Sequence, residues 1–173
     1  MNQLTVRFFA ALLIAFAAVA ICGCSEQADY SKSAAYEALF EADDSAAQKE
    51  LKSFIIRQIE RYNREDAEAY ASGFDWEPKD RDAFVAQFQK TAKTVKAELT
   101  IGTLRAVVLD SNPDQAQVGA LIRTVLTDKS SGEELDDHYN RVTYTMSRRE
   151  GTWYITEAET GADQYSVSSD TAE

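Results

Sequence analysis

Apolar and polar positions recur with two different periods along this chain, and the change from one to the other divides it. From Ser45 the apolar residues fall at helical spacing. Leu51, Phe54, Ile55, Ile59 and Tyr62 make one stripe, which predicts a helix that buries that side. Ser45, with Gln48 three residues on, has the pattern of a capping box at its start. Asn63-Arg64 interrupts the stripe. Glu65-Asp66 then opens a second short helix with Ala67, Tyr70 and Ala71 on one side, and Ser72-Gly73 closes it. Phe74 to Pro78 reads as a loop, and a third helix is predicted from about Asp80, with Phe84, Val85 and Phe88 as its stripe.

From Ala97 the period becomes two. Leu99 and Ile101 alternate with polar neighbours, Gly102 marks a bulge, and Leu104 to Leu109 resumes the strand. A turn cluster, Asp110 to Asp114, precedes a strand from Ala116 to Thr127; Lys129 to Gly132 turns into a third strand, Leu135 to Arg148. Glu150-Gly151 turns once more into Trp153 to Ala158. Short turns pair successive strands antiparallel. The fold class expected is α+β: N-terminal helices packed on a four-stranded antiparallel sheet.

The first residues have another character. Phe8 to Ile21 is an uninterrupted apolar run preceded by Arg7, the length of a secretory signal core and shorter than the ~20 residues of a spanning helix. It ends in Ile21-Cys22-Gly23-Cys24, which resembles the lipobox of bacterial lipoproteins, with Cys22 where that motif usually has a small residue. The resemblance implies cleavage before Cys24 and a thioether-linked diacylglycerol on it. Two or more acyl chains, such as palmitate, give stable anchoring where one does not. An uncleaved anchor helix and a plain secretory signal are the alternatives. The expected organisation is a signal peptide over 1–23, a polar tether over 24–44, one α+β domain over 45–161 and a disordered tail over 162–173. The expected location is extracytoplasmic, on the cell membrane or, where the organism has one, the outer membrane.

Charge narrows the partners. The chain has 18 basic and 29 acidic residues; Arg7 alone of these precedes Cys24, so the remainder carries net −12. Such a surface repels nucleic acid and anionic headgroups, leaving the lipid as the means of membrane attachment. Cys22 and Cys24 are the only cysteines and His138 the only histidine. The folded domain therefore offers no disulfide framework and no Cys- or His-based metal cluster, and no cofactor is expected.

The helix end Tyr62-Asn63-Arg64-Glu65-Asp66-Ala67-Glu68-Ala69-Tyr70, the strand start Asp114-Gln115-Ala116-Gln117-Val118 and the hairpin Glu150-Gly151-Thr152-Trp153-Tyr154-Ile155 resemble the nuclear transport factor 2-like superfamily, in particular its bacterial lipoprotein members. The resemblance spans roughly Leu51 to Glu159 and implies a curved sheet closing with the helices into a cone, open at one end. Its members include isomerases, dehydratases, assembly domains and non-catalytic modules, so it implies fold more than function.

On the third strand His138, Asn140, Val142, Tyr144 and Met146 share one face. If that face lines the cone, His138 and Asn140 are polar groups near its mouth, and His138 could serve as general acid or base; the plainer expectation is a wet strand end. Arg123 is expected on the outer face, since Val118, Ala120, Ile122 and Leu126 make the better inner set. A ketosteroid-isomerase-like site would need an acid and a tyrosine, for which Tyr62 and Tyr144 are candidates with Glu98, Asp136, Asp137, Glu157 or Glu159. Trp76, beside Phe74 in an acidic loop, is expected to pack over the core end rather than act as a recognition handle. The reading that follows is a lipid-anchored, non-enzymatic module binding a protein or small ligand. An isomerase or dehydratase and a self-associating homodimer are its alternatives.

Overall fold

In the computed structural model, which describes residues 34–161 and 165–166, three helices pack on one antiparallel sheet. The helices are α1 (Ala46–Asn63), α2 (Ala67–Ala71) and α3 (Pro78–Thr91). The strands are β1 (Val95–Leu109), β2 (Asn112–Asp128), β3 (Glu134–Arg149) and β4 (Thr152–Thr160), paired in chain order. Cys22 and Cys24 lie outside the described residues.

Local chemistry accounts for the boundaries. The Ser45 side chain accepts from the Gln48 backbone while the Gln48 side chain accepts from the Ser45 N–H, a complete capping box. Asp66 caps α2 by accepting from Ala69 N–H. Pro78 stands at the first turn of α3, two residues ahead of the expected start, where a missing N–H costs nothing. The β3–β4 hairpin turns through Glu150 and Gly151, both at positive φ.

Of the four register shifts between neighbouring strands, two keep the apolar set on the concave face of the sheet. Between Ile101 and Thr103 the β1–β2 register skips Gly102, so Ala97, Leu99 and Ile101 face inward before it and Leu104, Ala106 and Val108 after it. Between Thr145 and Met146 the β3–β4 register shifts likewise, returning Ala158 to the side of Trp153 and Ile155. Each slip keeps the apolar set on the concave face while bending the strand around α1. There Leu51, Ile55, Ile56 and Ile59 are buried against Val118, Ile122, Tyr144, Met146 and Ile155. Full burial of such a side chain contributes about 1.5–3 kcal/mol.

One expected boundary and two differences from the sequence-based expectation involve contacts distant in the chain. α1 ends at Asn63-Arg64, where the sequence interrupts its stripe, and the Asn63 amide donates to Leu99 C=O and accepts from Leu99 N–H, both at 2.8 Å, which satisfies the edge of β1. The described part of the expected tether docks on the domain. Leu39, in a 3-10 turn over Glu37–Leu39, is buried with Tyr36 and Phe40 packed against the same core, and Asp44 forms a 2.6 Å ion pair with buried Lys52. In the tail, Tyr165–Ser166 form a two-residue β5 paired with β3 at His138 and Tyr139, where disorder was expected. Those β3 residues lie beyond the reach of β4, whose pairing ends at Val142.

Asn63→Ala removes both bonds to Leu99 and is expected to cost about 1–3 kcal/mol. In denaturant unfolding the midpoint should fall with the slope unchanged; an unaltered midpoint would mean the clamp contributes nothing.

Candidate functional site

The concave face is lined by alternate residues of four strands, and its polar members concentrate on β3. His138, Asn140, Val142, Tyr144 and Met146 do share that face: Val142, Tyr144 and Met146 are in the core, while His138 and Asn140 are half-buried towards the start of the strand. His138 stands across from Thr124, Asn140 from Ile122 and Tyr144 from Val118. His138 Nδ1 is 3.0 Å from Asp136 Oδ2, on the same strand, and the Asp136 carboxylate is half-exposed. Asn140 Oδ1 is buried and receives no hydrogen bond. An unmet buried acceptor of this kind costs about 1–3 kcal/mol.

Deeper in the cone the helices deliver aromatic residues. Tyr62 from α1 meets Tyr70 from α2 at 5.2 Å and Phe88 from α3 at 5.1 Å, both edge-to-face. Tyr70 continues to Phe74 and Phe84. Trp76 stacks on Phe84 at 5.2 Å and donates its indole N–H to Ala71 C=O at 2.9 Å, so both its ring and its donor are engaged in packing. Burial holds the Tyr62 and Tyr144 hydroxyls protonated well above the ordinary tyrosine range. Tyr70 is raised by burial first, then by the neighbouring Tyr144 and Tyr62. The Tyr70 ring packs edge-on against Tyr62, one of the two tyrosines singled out from the sequence. Tyr70 itself was read only as a core position, because apolar periodicity cannot distinguish a phenol that fills space from one that faces another phenol.

The carboxylates do not join them. Glu98, Asp136 and Glu159 are exposed. Asp137 is on the convex face, accepting from Nε and Nη2 of the Arg123 guanidinium, which puts Arg123 outside as expected. Neither Tyr70 nor Tyr144 is hydrogen-bonded to a carboxylate among the described residues, and Asp44 is the one carboxylate buried there. No trio of His, Cys, Asp and Glu side chains among the described residues is arranged to hold a metal ion. The tertiary structure thus joins Tyr62 to Trp76 through Tyr70 and Phe84, buries Tyr144 in the main core, and leaves His138 and Asn140 nearer the start of β3.

Solved structures share this architecture. The chain has the nuclear transport factor 2-like fold. A Xanthomonas campestris protein described as a calcium/calmodulin dependent protein kinase II association domain is 19% identical, with a TM-score of 0.55 over 70% of this chain and 89% of that one. Aln2 from a Streptomyces species is 14% identical, with a TM-score of 0.52 over 64% and 85%. An uncharacterised protein with a cystatin-like fold from Caulobacter vibrioides is 17% identical, with a TM-score of 0.51 over 64% and 84%. No protein-family model matches the sequence, and no curated protein matches it significantly. At these identities the likeness is one of fold, so function has to be argued from this chain's own residues.

The tyrosine cluster has a pH signature. Unfolded tyrosines ionise near 10, whereas Tyr62, Tyr70 and Tyr144 keep their protons in the folded state above that pH. Above about pH 10 the unfolded chain therefore binds fewer protons than the folded one, and stability falls as pH rises. Phenolate absorbance should show a late, cooperative step coincident with loss of tertiary circular dichroism. Ionisation of all tyrosines in one non-cooperative phase near 10 would contradict their burial.

Proposed function

We propose that this chain is a lipid-anchored, non-enzymatic binding module of the bacterial cell envelope, engaging a small ligand or a protein group at the mouth of its cone. The carrying observation is the chemistry of the inner face, which offers hydrogen-bonding groups without a buried carboxylate converging on them among the described residues. Asn140 Oδ1 is a buried acceptor with no donor, beside half-buried His138, while the one carboxylate buried among the described residues, Asp44, is held by Lys52. An acceptor kept dry and unmet suits a ligand that brings an N–H or O–H. The ketosteroid-isomerase arrangement would instead bring a carboxylate together with a tyrosine.

The anchor rests on Ile21-Cys22-Gly23-Cys24 and the apolar run before it. A chain with net −12 beyond that point gains little from anionic headgroups, so the acyl chains supply the attachment. Cys24→Ala should move the protein from the membrane to the soluble fraction on cell fractionation, with loss of acyl label. Equal membrane retention would show that this cysteine is not the anchor.

The alternative, an isomerase or dehydratase using His138 or an acid–tyrosine pair, makes an opposite forecast. On a β,γ-unsaturated ketone the purified protein should give no rate above buffer. Turnover that disappears in Tyr144→Phe or His138→Ala would establish an enzyme and end the non-catalytic reading.

A further inference from the structure

Outside the cone, beside the edge strand β1, lies a cleft of about 300 Å³ lined by Glu41, Asp44, Gln48, Lys52, Arg105, Ala106 and Val107. Its size is at the lower end for small-molecule sites. Lys52 is 1% exposed, and among the described residues its ammonium makes a single hydrogen bond, 2.6 Å to Asp44 Oδ2. Asp44 Oδ2 also accepts from Glu41 N–H, which fixes the loop before α1. An ammonium carries three donors, so two have no protein acceptor among the described residues. Burying a charge in that state is costly unless something in the cleft accepts from it.

Two further charges line the same cleft without being paired to each other. The Arg105 guanidinium and the Glu41 carboxylate each lack an ion-pair or hydrogen-bond partner among the described residues. The Gln48 amide accepts from Ser45 N–H and donates one N–H to Ala106 C=O, which holds it as part of the cleft wall. A lone cation in such a place would suit an anion. A cation and an anion facing one cleft, with a buried ammonium short of acceptors, are complementary to a ligand that carries both signs.

We propose that this cleft binds a small zwitterion of amino-acid size, its carboxylate towards Lys52 and Arg105 and its ammonium towards Glu41. Charge-assisted hydrogen bonds at both ends give orientation, and the apolar wall of Ala106 and Val107 accommodates the ligand's carbon skeleton. Val107 is 57% exposed, one of the two large apolar side chains so exposed among the described residues, and a bound ligand would cover part of it.

The test uses the full chain in detergent, titrated separately with glycine, L-alanine and L-glutamine at constant ionic strength, reading backbone amide shifts. At least one is expected to give saturable shifts confined to Glu41–Lys52 and Arg105–Val107. Propionate and isopropylamine, each presenting one charge, should bind more weakly. Arg105→Gln and Glu41→Gln, both at the cleft and outside the core, should each weaken binding about tenfold or more while leaving the rest of the spectrum in place. If none of the three amino acids gives saturable shifts, or if both variants bind as the parent does, the proposal is wrong. Propionate binding as tightly as the amino acids would reduce the site to an anion site and overturn the assignment of Glu41.

Discussion

The concave sheet holds its shape because two strands each slip by one residue while keeping their apolar side chains on the same side. Without the skip at Gly102, Leu104, Ala106 and Val108 would face solvent and α1 would lose its partner along half of β1. The second slip, opposite Thr145 and Met146, does the same for β4. Curvature here is thus a consequence of burying apolar surface on one continuous face around a single helix. The cone, the tyrosine cluster within it and the placement of His138 and Asn140 all follow from that wrap.

Edge strands are the weak point of an open sheet, and this chain closes them with side chains and loops. Asn63 occupies both backbone groups of Leu99, and Gln48 donates to Ala106 C=O further along β1. On the opposite side, Gly73 C=O and Asp75 N–H pair with Ile155 of β4. Gly73 can be nothing larger there, since a Cβ would lie 1.9 Å from the buried Gln58 amide. The loop that docks on β4 also carries Trp76, so one segment both blocks the edge and covers the aromatic end of the core.

Much of the fold was legible because its signals are local. The α1 stripe, the capping box, the bulge at Gly102 and the turns at Lys129–Gly132 and Glu150-Gly151 are each encoded within a few residues, and each stands where the periodicity placed it. The outward position of Arg123 followed from comparing two alternating sets on one strand. What escaped was long-range. Asp44 and Lys52 are read one at a time as a tether acid and a helix lysine, and only their 2.6 Å contact shows that the loop before α1 belongs to the domain. Asn63 marks the end of α1, and its bonds to Leu99, 36 positions away, lie beyond any local signal. The pairing of β5 with β3 fills rungs that β4 leaves open, and nothing within the tail's own residues announces it.

The linear sequence by itself determined the class of the fold and the order of its elements, because periodicity, caps and turn residues act over a few positions. The tertiary structure alone decided which polar groups meet. It set Tyr70 edge-on against Tyr62, left Asn140 Oδ1 dry and unpaired, and joined Lys52 to Asp44 in a cleft with Arg105 and Glu41. Encounters of that kind depend on how far the sheet curls around α1, a property of the closed assembly that no short stretch of chain contains.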